Sequence, residues 1–347
     1  MRRDIARVAR AICPQRTGET TMRISVFPKG DIDAIIARKM NVFDWIEKAK
    51  ALRVEGLELW SGMFWEVGDH FVDRVAESLD AAGFEMPMLC VSPDFTNPDP
   101  QRRAEEFYHE VEMMRTTARL GGAGAATRVL SGQRHPGVSR EQGLEWVIEA
   151  INALLPRARE LDITLAIENH YKDSTWEYPE FAQRADVFLD LINSIDDTTH
   201  FGVQYDPSNA IVAGEDSAEF LERIVGRVVT VQASDRALAP GASLDDLRQS
   251  DGTLGYSPLL HHGAIGSGLN DYPRIFGTLS DAGYDGWISI EDGVNSFDEL
   301  RQSVDFLRDA RERYFGGSTA LRVQSQDDAR RAAGLTSLTR PNMGLSK

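Results

Sequence analysis

The sequence is poor in cysteine and contains no long apolar run. Its 347 residues include two cysteines, Cys13 and Cys90, and neither has the neighbouring cysteine or histidine of a zinc site. A disulfide framework is therefore excluded, and we expect a reducing, cytoplasmic setting. No segment approaches the roughly 18 apolar residues that a membrane-spanning helix needs, so we expect a soluble protein.

Positive charge is also scarce. Lysine and arginine total 38 against 54 aspartate and glutamate residues, which gives a formal net charge of −16, spread along the chain. A surface of this sign repels phosphate backbones and anionic lipids, so we expect neither nucleic acid nor membrane as a partner. Small neutral or metal-bound ligands fit this charge better.

Eight short apolar runs alternate with segments of helical periodicity. We predict strands at residues 23–27, 56–60, 85–91, 125–130, 163–168, 201–206, 228–233 and 286–291. Strands and helices that alternate in this way predict an α/β protein with a (β/α)8 TIM barrel over residues 22–315.

Three segments fall outside this alternation. Residues 1–21 are expected to form a flexible N-terminal extension, and the polar residues 316–347 a tail that is mobile or docks on a partner. Residues 235–271 are too long for an average connection after the seventh strand. Long loops in compact domains usually act as lids or binding segments, so we predict that role here.

Polar side chains stand at the ends of four consecutive predicted strands: Glu168, Asp206, Gln232 and Glu291. The reactive groups of a TIM barrel lie where its strands end. Three carboxylates in one pocket would repel each other unless a divalent cation lay between them. Oxygen ligands without thiolate favour Mn²⁺, while Mg²⁺, Co²⁺ and Zn²⁺ also fit. The alternative for a single carboxylate is a helix cap, a role that Asp206 before Pro207 also fits.

The segments "LAIENH", "FGVQYDPSNA", "VVTVQASD" and "GSGLNDYPRIFGTLSDAGYDGWISIED" resemble the sugar phosphate isomerase/epimerase superfamily of xylose-isomerase-like barrels. In that superfamily Glu, Asp, His and Glu at four strand ends bind one divalent metal. The resemblance implies Glu168, Asp206 and Glu291 as ligands here. Gln232 stands where most members have histidine, and its amide oxygen is a neutral, weaker ligand.

His170 follows the first of these carboxylates by two residues. Imidazole titrates near neutral pH, so His170 is a candidate general base, and the alternative is an ordinary hydrogen-bonding role in a loop. A finer resemblance comes from "IENH", from Gln232, and from His261 and His262 in the long loop. It points to the larger subunit of bacterial C-glycoside deglycosidases.

Those proteins cleave the carbon–carbon bond between a 3-oxidised sugar and a flavonoid-type aglycone. They work with a small β-sandwich subunit, so the resemblance implies a glycoside substrate and a hetero-oligomer. Candidate contacts to sugar or aglycone are Arg236, His261, His262 and Asn209. The alternative for Arg236, His261 and His262 is that they only order the long loop. The aromatic residues Trp60, Phe64 and Trp65 could form an apolar wall, and the alternative for them is packing.

Three hypotheses about function remain open. A lyase would use His170 as the base, whereas a ketose isomerase or epimerase would use Glu168 and Glu291 as an acid/base pair. A barrel that has lost catalysis and serves as a binding subunit is the third, and Gln232 keeps that hypothesis open. The superfamily also contains abasic-site endonucleases with three zinc ions, but seven histidines and the acidic charge argue against that activity.

Overall fold

A computed structural model of the protein describes residues 22–65, 68–173, 175–249 and 259–316. The predicted N-terminal extension and all of the predicted tail except Gly316 lie outside the described residues.

The described strands are β1 (Arg23–Val26), β2 (Gly56–Leu57), β3 (Leu59–Trp60), β4 (Met88–Cys90), β5 (Ala126–Val129), β6 (Thr164–Glu168), β7 (Phe201–Tyr205), β8 (Val228–Ala233), β9 (Asp235–Leu238), β10 (Leu260–Gly263) and β11 (Trp287–Ile290). Nine of them form one parallel sheet in the order β2-β1-β11-β8-β7-β6-β5-β4-β3. The end strands β2 and β3 are separated in sequence by Glu58 alone, so the sheet curls round on itself. This confirms the predicted (β/α)8 barrel, with the second predicted strand split in two.

The helices are α1 (Ile32–Ile36), α2 (Val42–Ala49), α3 (Asp69–Ala82), α4 (Pro100–Gly121), α5 (Arg140–Leu161), α6 (Ala185–Asn193), α7 (Pro207–Val212), α8 (Ser217–Ile224), α9 (Leu244–Gln249), α10 (Tyr272–Asp281) and α11 (Phe297–Ala310). Short 3₁₀ turns occupy Lys29–Asp31, Lys50–Leu52, Ser61–Met63 and Val225–Arg227, and a π-helical turn at Arg311–Phe315 follows α11. None of the helices in the described ranges combines the length and apolar character needed to cross a bilayer.

The register of the sheet fixes which side chains share a level inside the barrel. Ser25 pairs with Ser289, and Ser289 pairs with Gln232, so these three side chains point to the same side. Glu291 follows Ser289 by two residues and therefore lies on that side one level closer to the carboxyl ends of the strands. The level below the predicted site is thus polar rather than apolar.

Residues 235–249 and 259–271 contain more regular structure than the predicted loop. β9 and β10 pair antiparallel, with Arg236 opposite His262, and α9 lies between them. The carboxylate of Asp235 holds the return segment because it accepts backbone N–H groups from Gly266 and Gly268, both at 2.9 Å. Residues 250–258, within the same predicted loop, lie outside the described residues.

Candidate functional site

Three buried carboxylates meet at the carboxyl ends of the barrel strands. Glu168 ends β6, Asp206 follows β7 and Glu291 follows β11. One carboxylate oxygen of each lies within 4.8 Å of one oxygen of each of the others. Residues 38 to 123 positions apart in sequence therefore form one cluster, which we call the carboxylate cluster.

The side chain of Glu168 is fixed by hydrogen bonds to both of its oxygens. Arg128 Nη1 donates to Oε2 at 2.8 Å, and Asn209 Nδ2 donates to Oε1 at 2.8 Å. Arg128 in turn donates to the carbonyl oxygen of Val91 at 3.0 Å and to Ser92 Oγ at 2.8 Å. The orientation of this carboxylate is set before any ligand binds.

Asp206 combines the two roles that its sequence position suggested. As the N-cap of α7, its Oδ1 accepts Ser208 N at 2.7 Å and Asn209 N at 3.2 Å, together with Ser234 Oγ at 2.9 Å. Its other oxygen is left for the cluster. Burial, followed by the charges of Glu291 and Glu168, raises the pKa of Asp206 well above its ordinary value.

Glu291 is the most acidic of the three. Burial alone would raise its pKa, but Lys29 Nζ donates to Oε1 at 2.5 Å, and this ammonium together with His170 and Arg128 lowers the pKa to about 2. The pKa of Glu168 is raised, because burial outweighs the lowering by His170 and Arg128. Three buried carboxyl groups this close together are the arrangement that a cation would relieve.

These residues fit a divalent cation. The donors are hard carboxylate oxygens, and all three residues are buried. Lys29 binds one oxygen of Glu291, and each oxygen of Glu168 accepts one hydrogen bond, so lone pairs remain on both residues for the ion. Glu168, Asp206 and Glu291 would hold the ion, and oxygen donors of this kind select Mg²⁺ or Mn²⁺ over softer metals.

Gln232 lies one level below the cluster, and its amide group is already engaged. Its Oε1 accepts Gln204 Nε2 at 2.5 Å, and its Nε2 donates to Glu58 Oε2 at 2.8 Å. To serve as the fourth ligand, Gln232 would have to turn its oxygen away from Gln204. Its role as a ligand stays a prediction.

A cavity of about 400 Å³ opens beside the cluster. Its lining includes Lys29, Arg128 and Glu291, together with His170 and Lys172. The aromatic side chains of Phe27, Trp60 and Tyr171 also line it. Of the predicted aromatic wall, Trp60 alone lines this cavity. Phe64 instead contacts Phe71 edge to face at 6.0 Å, and Trp65 lies under Arg38 at 5.6 Å.

The other residues predicted to contact substrate differ in burial and in the groups that surround them. Arg236 is buried, with its guanidinium 4.9 Å from the ring centre of Tyr171, a cavity residue. His262 is half-buried, and burial, Arg236 and Lys29 lower its pKa to about 3, so it stays neutral. His261 is exposed on β10. Asn209 binds Glu168 and so supports the cluster rather than lining the cavity.

Sequence reasoning missed Lys29, Arg128 and Glu58. An arginine inside the buried strand β5 was a usable signal, because a buried guanidinium requires an anionic partner. Lys29 and Glu58 carried no comparable signal. Burial raises the pKa of Glu58 to about 8, although Gln232 donates to it.

Comparison with known proteins agrees with this architecture. The model of the family described as xylose isomerase-like TIM barrel matches residues 46–310. The chain belongs to this family.

A curated relative, the probable endonuclease 4 of Acholeplasma laidlawii (strain PG-8A), is 26% identical over 196 residues. The match covers 52% of this chain and 63% of the relative, so the chain spans less than two thirds of that protein. Among solved structures, the IOLI protein with a bound zinc atom is 15% identical, with a TM-score of 0.66, and the match covers 85% of this chain and 100% of that one. The 3-keto-D-glucoside 4-epimerase of E. coli is 16% identical, with a TM-score of 0.57, over 84% of this chain and 99% of that one. Identities this low establish the fold alone.

Proposed function

We propose that this protein is a carbon–carbon lyase that depends on a divalent cation and releases the aglycone from 3-oxo-C-glycosides. The observation that carries the proposal is a cluster of three buried carboxylates beside a cavity that His170 lines. A cation bound at the cluster would supply electrophilic stabilisation of the charge that develops on the sugar carbonyl oxygen. Manganese is the ion we expect.

His170 is the base in this proposal. It takes the proton from C2, the carbon next to the C3 carbonyl, and the electron pair left behind forms a double bond between C1 and C2. The bond from C1 to the aglycone carbon breaks, and the proton held on His170 is available to that carbon. The products are a 1,2-unsaturated 3-oxo sugar and the free aglycone, so atoms and charge balance.

The charges around the cluster favour a mechanism with His170 as the single base over one that uses Glu168 and Glu291 as an acid/base pair. An epimerase of the predicted kind needs Glu168 and Glu291 to exchange protons with carbon on opposite sides. Glu291 has a pKa of about 2 because Lys29 binds it, and a carboxylate that acidic is a poor proton acceptor at neutral pH. Glu168 has both oxygens occupied by Arg128 and Asn209. His170 lines the cavity, and its Nδ1 has no hydrogen-bond partner among the described residues.

The cavity suits a glycoside. Trp60, Tyr171 and Phe27 give part of the cavity lining an aromatic character that suits a sugar or an aromatic aglycone, and Arg236 lies against Tyr171. We include in the proposal a cytoplasmic location and a small β-sandwich subunit, which would complete the site in a hetero-oligomer.

A ketose isomerase or epimerase is the second candidate. It is favoured by the likeness of the fold to a 3-keto-D-glucoside epimerase, whose substrate class also carries a carbonyl at C3. The same cluster would serve this reaction, since both begin with proton abstraction beside a carbonyl.

The deciding experiment incubates the protein, with Mn²⁺ and with or without a small partner subunit, with a 3-oxo-C-glycoside and with free ketoses. Chromatography that finds free aglycone supports the lyase. Interconversion of ketoses without aglycone would overturn it in favour of the isomerase. If neither product forms and His170→Ala leaves ligand binding intact, the protein is a binding subunit.

A further inference from the structure

We propose that Glu180 is the positioning residue of the base His170, a role that rests on the function proposed above. His170 Nδ1 lies 3.6 Å from Glu180 Oε2, slightly beyond hydrogen-bond distance. Both atoms are buried and neither has another hydrogen-bond partner. Bonds of this kind are often long in ligand-free sites and shorten when the substrate binds.

The other oxygen of Glu180 is firmly held. Ser131 donates to Oε1 from its backbone nitrogen at 2.8 Å and from its hydroxyl group, whose oxygen in turn accepts Ala182 N at 3.0 Å. The backbone nitrogen of Glu180 donates to the carbonyl oxygen of Tyr171 at 2.8 Å. Glu180 is thereby tied directly to the residue after His170, and Oε2 is left facing the imidazole.

The ring of His170 is held on its faces as well. It stacks on Tyr171 with ring centres 5.1 Å apart and meets Trp176 edge to face at 6.2 Å. The ring therefore cannot turn freely, and a carboxylate at Nδ1 decides where its proton sits. With the proton on Nδ1, the lone pair of Nε2 is available on the cavity side, as a general base requires.

Replacing Glu180 by glutamine should move the ring proton of His170 from Nδ1 to Nε2, because an amide takes the place of the carboxylate. The two Ser131 donors require an acceptor at the Oε1 position, so the amide oxygen takes that place and the NH₂ group faces His170. Nδ1 then has to accept, the ring proton moves to Nε2, and the base loses its lone pair toward the cavity. The volume of the side chain is unchanged.

The test is nitrogen NMR of protein labelled with ¹⁵N-histidine, with the ring signals of His170 assigned from their loss in His170→Gln. We expect a protonated Nδ1 in the wild type and a protonated Nε2 in Glu180→Gln. Glu215→Gln is the matched control, because Glu215 is a half-buried carboxylate that binds Ala185 N and lies outside the cavity. It should leave the His170 signals unchanged.

A second readout is the exchange of the C2 proton of a methyl glucoside oxidised at C3, followed in D₂O. Glu180→Gln should lower the exchange rate constant at saturation about 100-fold, with KM unchanged. The same Nδ1 tautomer in wild type and Glu180→Gln would overturn the role of Glu180, whatever the activity. Tautomer reversal in a protein that never exchanges the proton would retain that role and overturn the proposed function.

Discussion

Cation binding at the carboxylate cluster makes a quantitative prediction for Glu291→Ala. If wild-type protein binds Mn²⁺, a concentration 100 times Kd stabilises it by about 2.7 kcal/mol. With about 2.1 cal/mol/K of unfolding entropy per residue, each kcal/mol shifts the Tm of a chain this large by about 1.5 °C, so we expect a rise of roughly 4 °C. The variant lacks one of three carboxylates and should show little of this rise.

In the metal-free protein we expect Glu291→Ala to lower the free energy of unfolding, although it removes one of three carboxylates that repel each other. Glu291 and Lys29 form a largely buried pair, with side-chain exposures of 8% and 14%. Removing one partner of such a pair costs about 3–5 kcal/mol. Lys29→Met combined with Glu291→Ala should recover much of that loss without restoring the response to Mn²⁺.

Differential scanning fluorimetry with and without Mn²⁺ would measure both effects, and elemental mass spectrometry would count the bound metal. Glu215→Ala, a carboxylate outside the cluster, is the control and should keep the full Mn²⁺ response. The reasoning would be refuted by an equal Tm rise in Glu291→Ala and wild type, or by wild-type protein that takes up no ion after dialysis against Mn²⁺.

Two further predictions concern buried charges. Glu58 holds a proton in the folded state up to about pH 8 but releases it near pH 4.5 in the unfolded state. Between these pH values the folded state binds more protons, so this group makes the free energy of unfolding fall as pH rises. Urea titrations from pH 5 to 8 should show this slope in wild type and a flatter one in Glu58→Gln; equal slopes would contradict it. Arg128→Met should cost about 3–5 kcal/mol in unfolding free energy because it removes the guanidinium that binds Glu168 at 2.8 Å. Arg140→Met, which breaks exposed pairs with Asp186 and Asp190, should cost about 1 kcal/mol or less, and similar losses in the two variants would exclude a special role for Arg128.

The sequence by itself determined the barrel, because alternation of apolar runs with helical periodicity is a local property of the chain. It also determined which carboxylates meet. Parallel strands all end at one face, so Glu168, Asp206 and Glu291 had to be neighbours once their strands were recognised. No distance in space was needed for that step.

The tertiary structure decided what each of these groups can do. The ammonium of Lys29 reaches Glu291 from 262 positions away, and Gln232 is bound to Glu58 across the barrel from 174 positions away. Likewise, Glu180 reaches His170 only because the chain between them folds back through the hydrogen bond from Glu180 N to the Tyr171 carbonyl oxygen. Hydrogen bonds and charges act over a few ångströms, and periodicity along the chain carries no information about which distant side chains come that close.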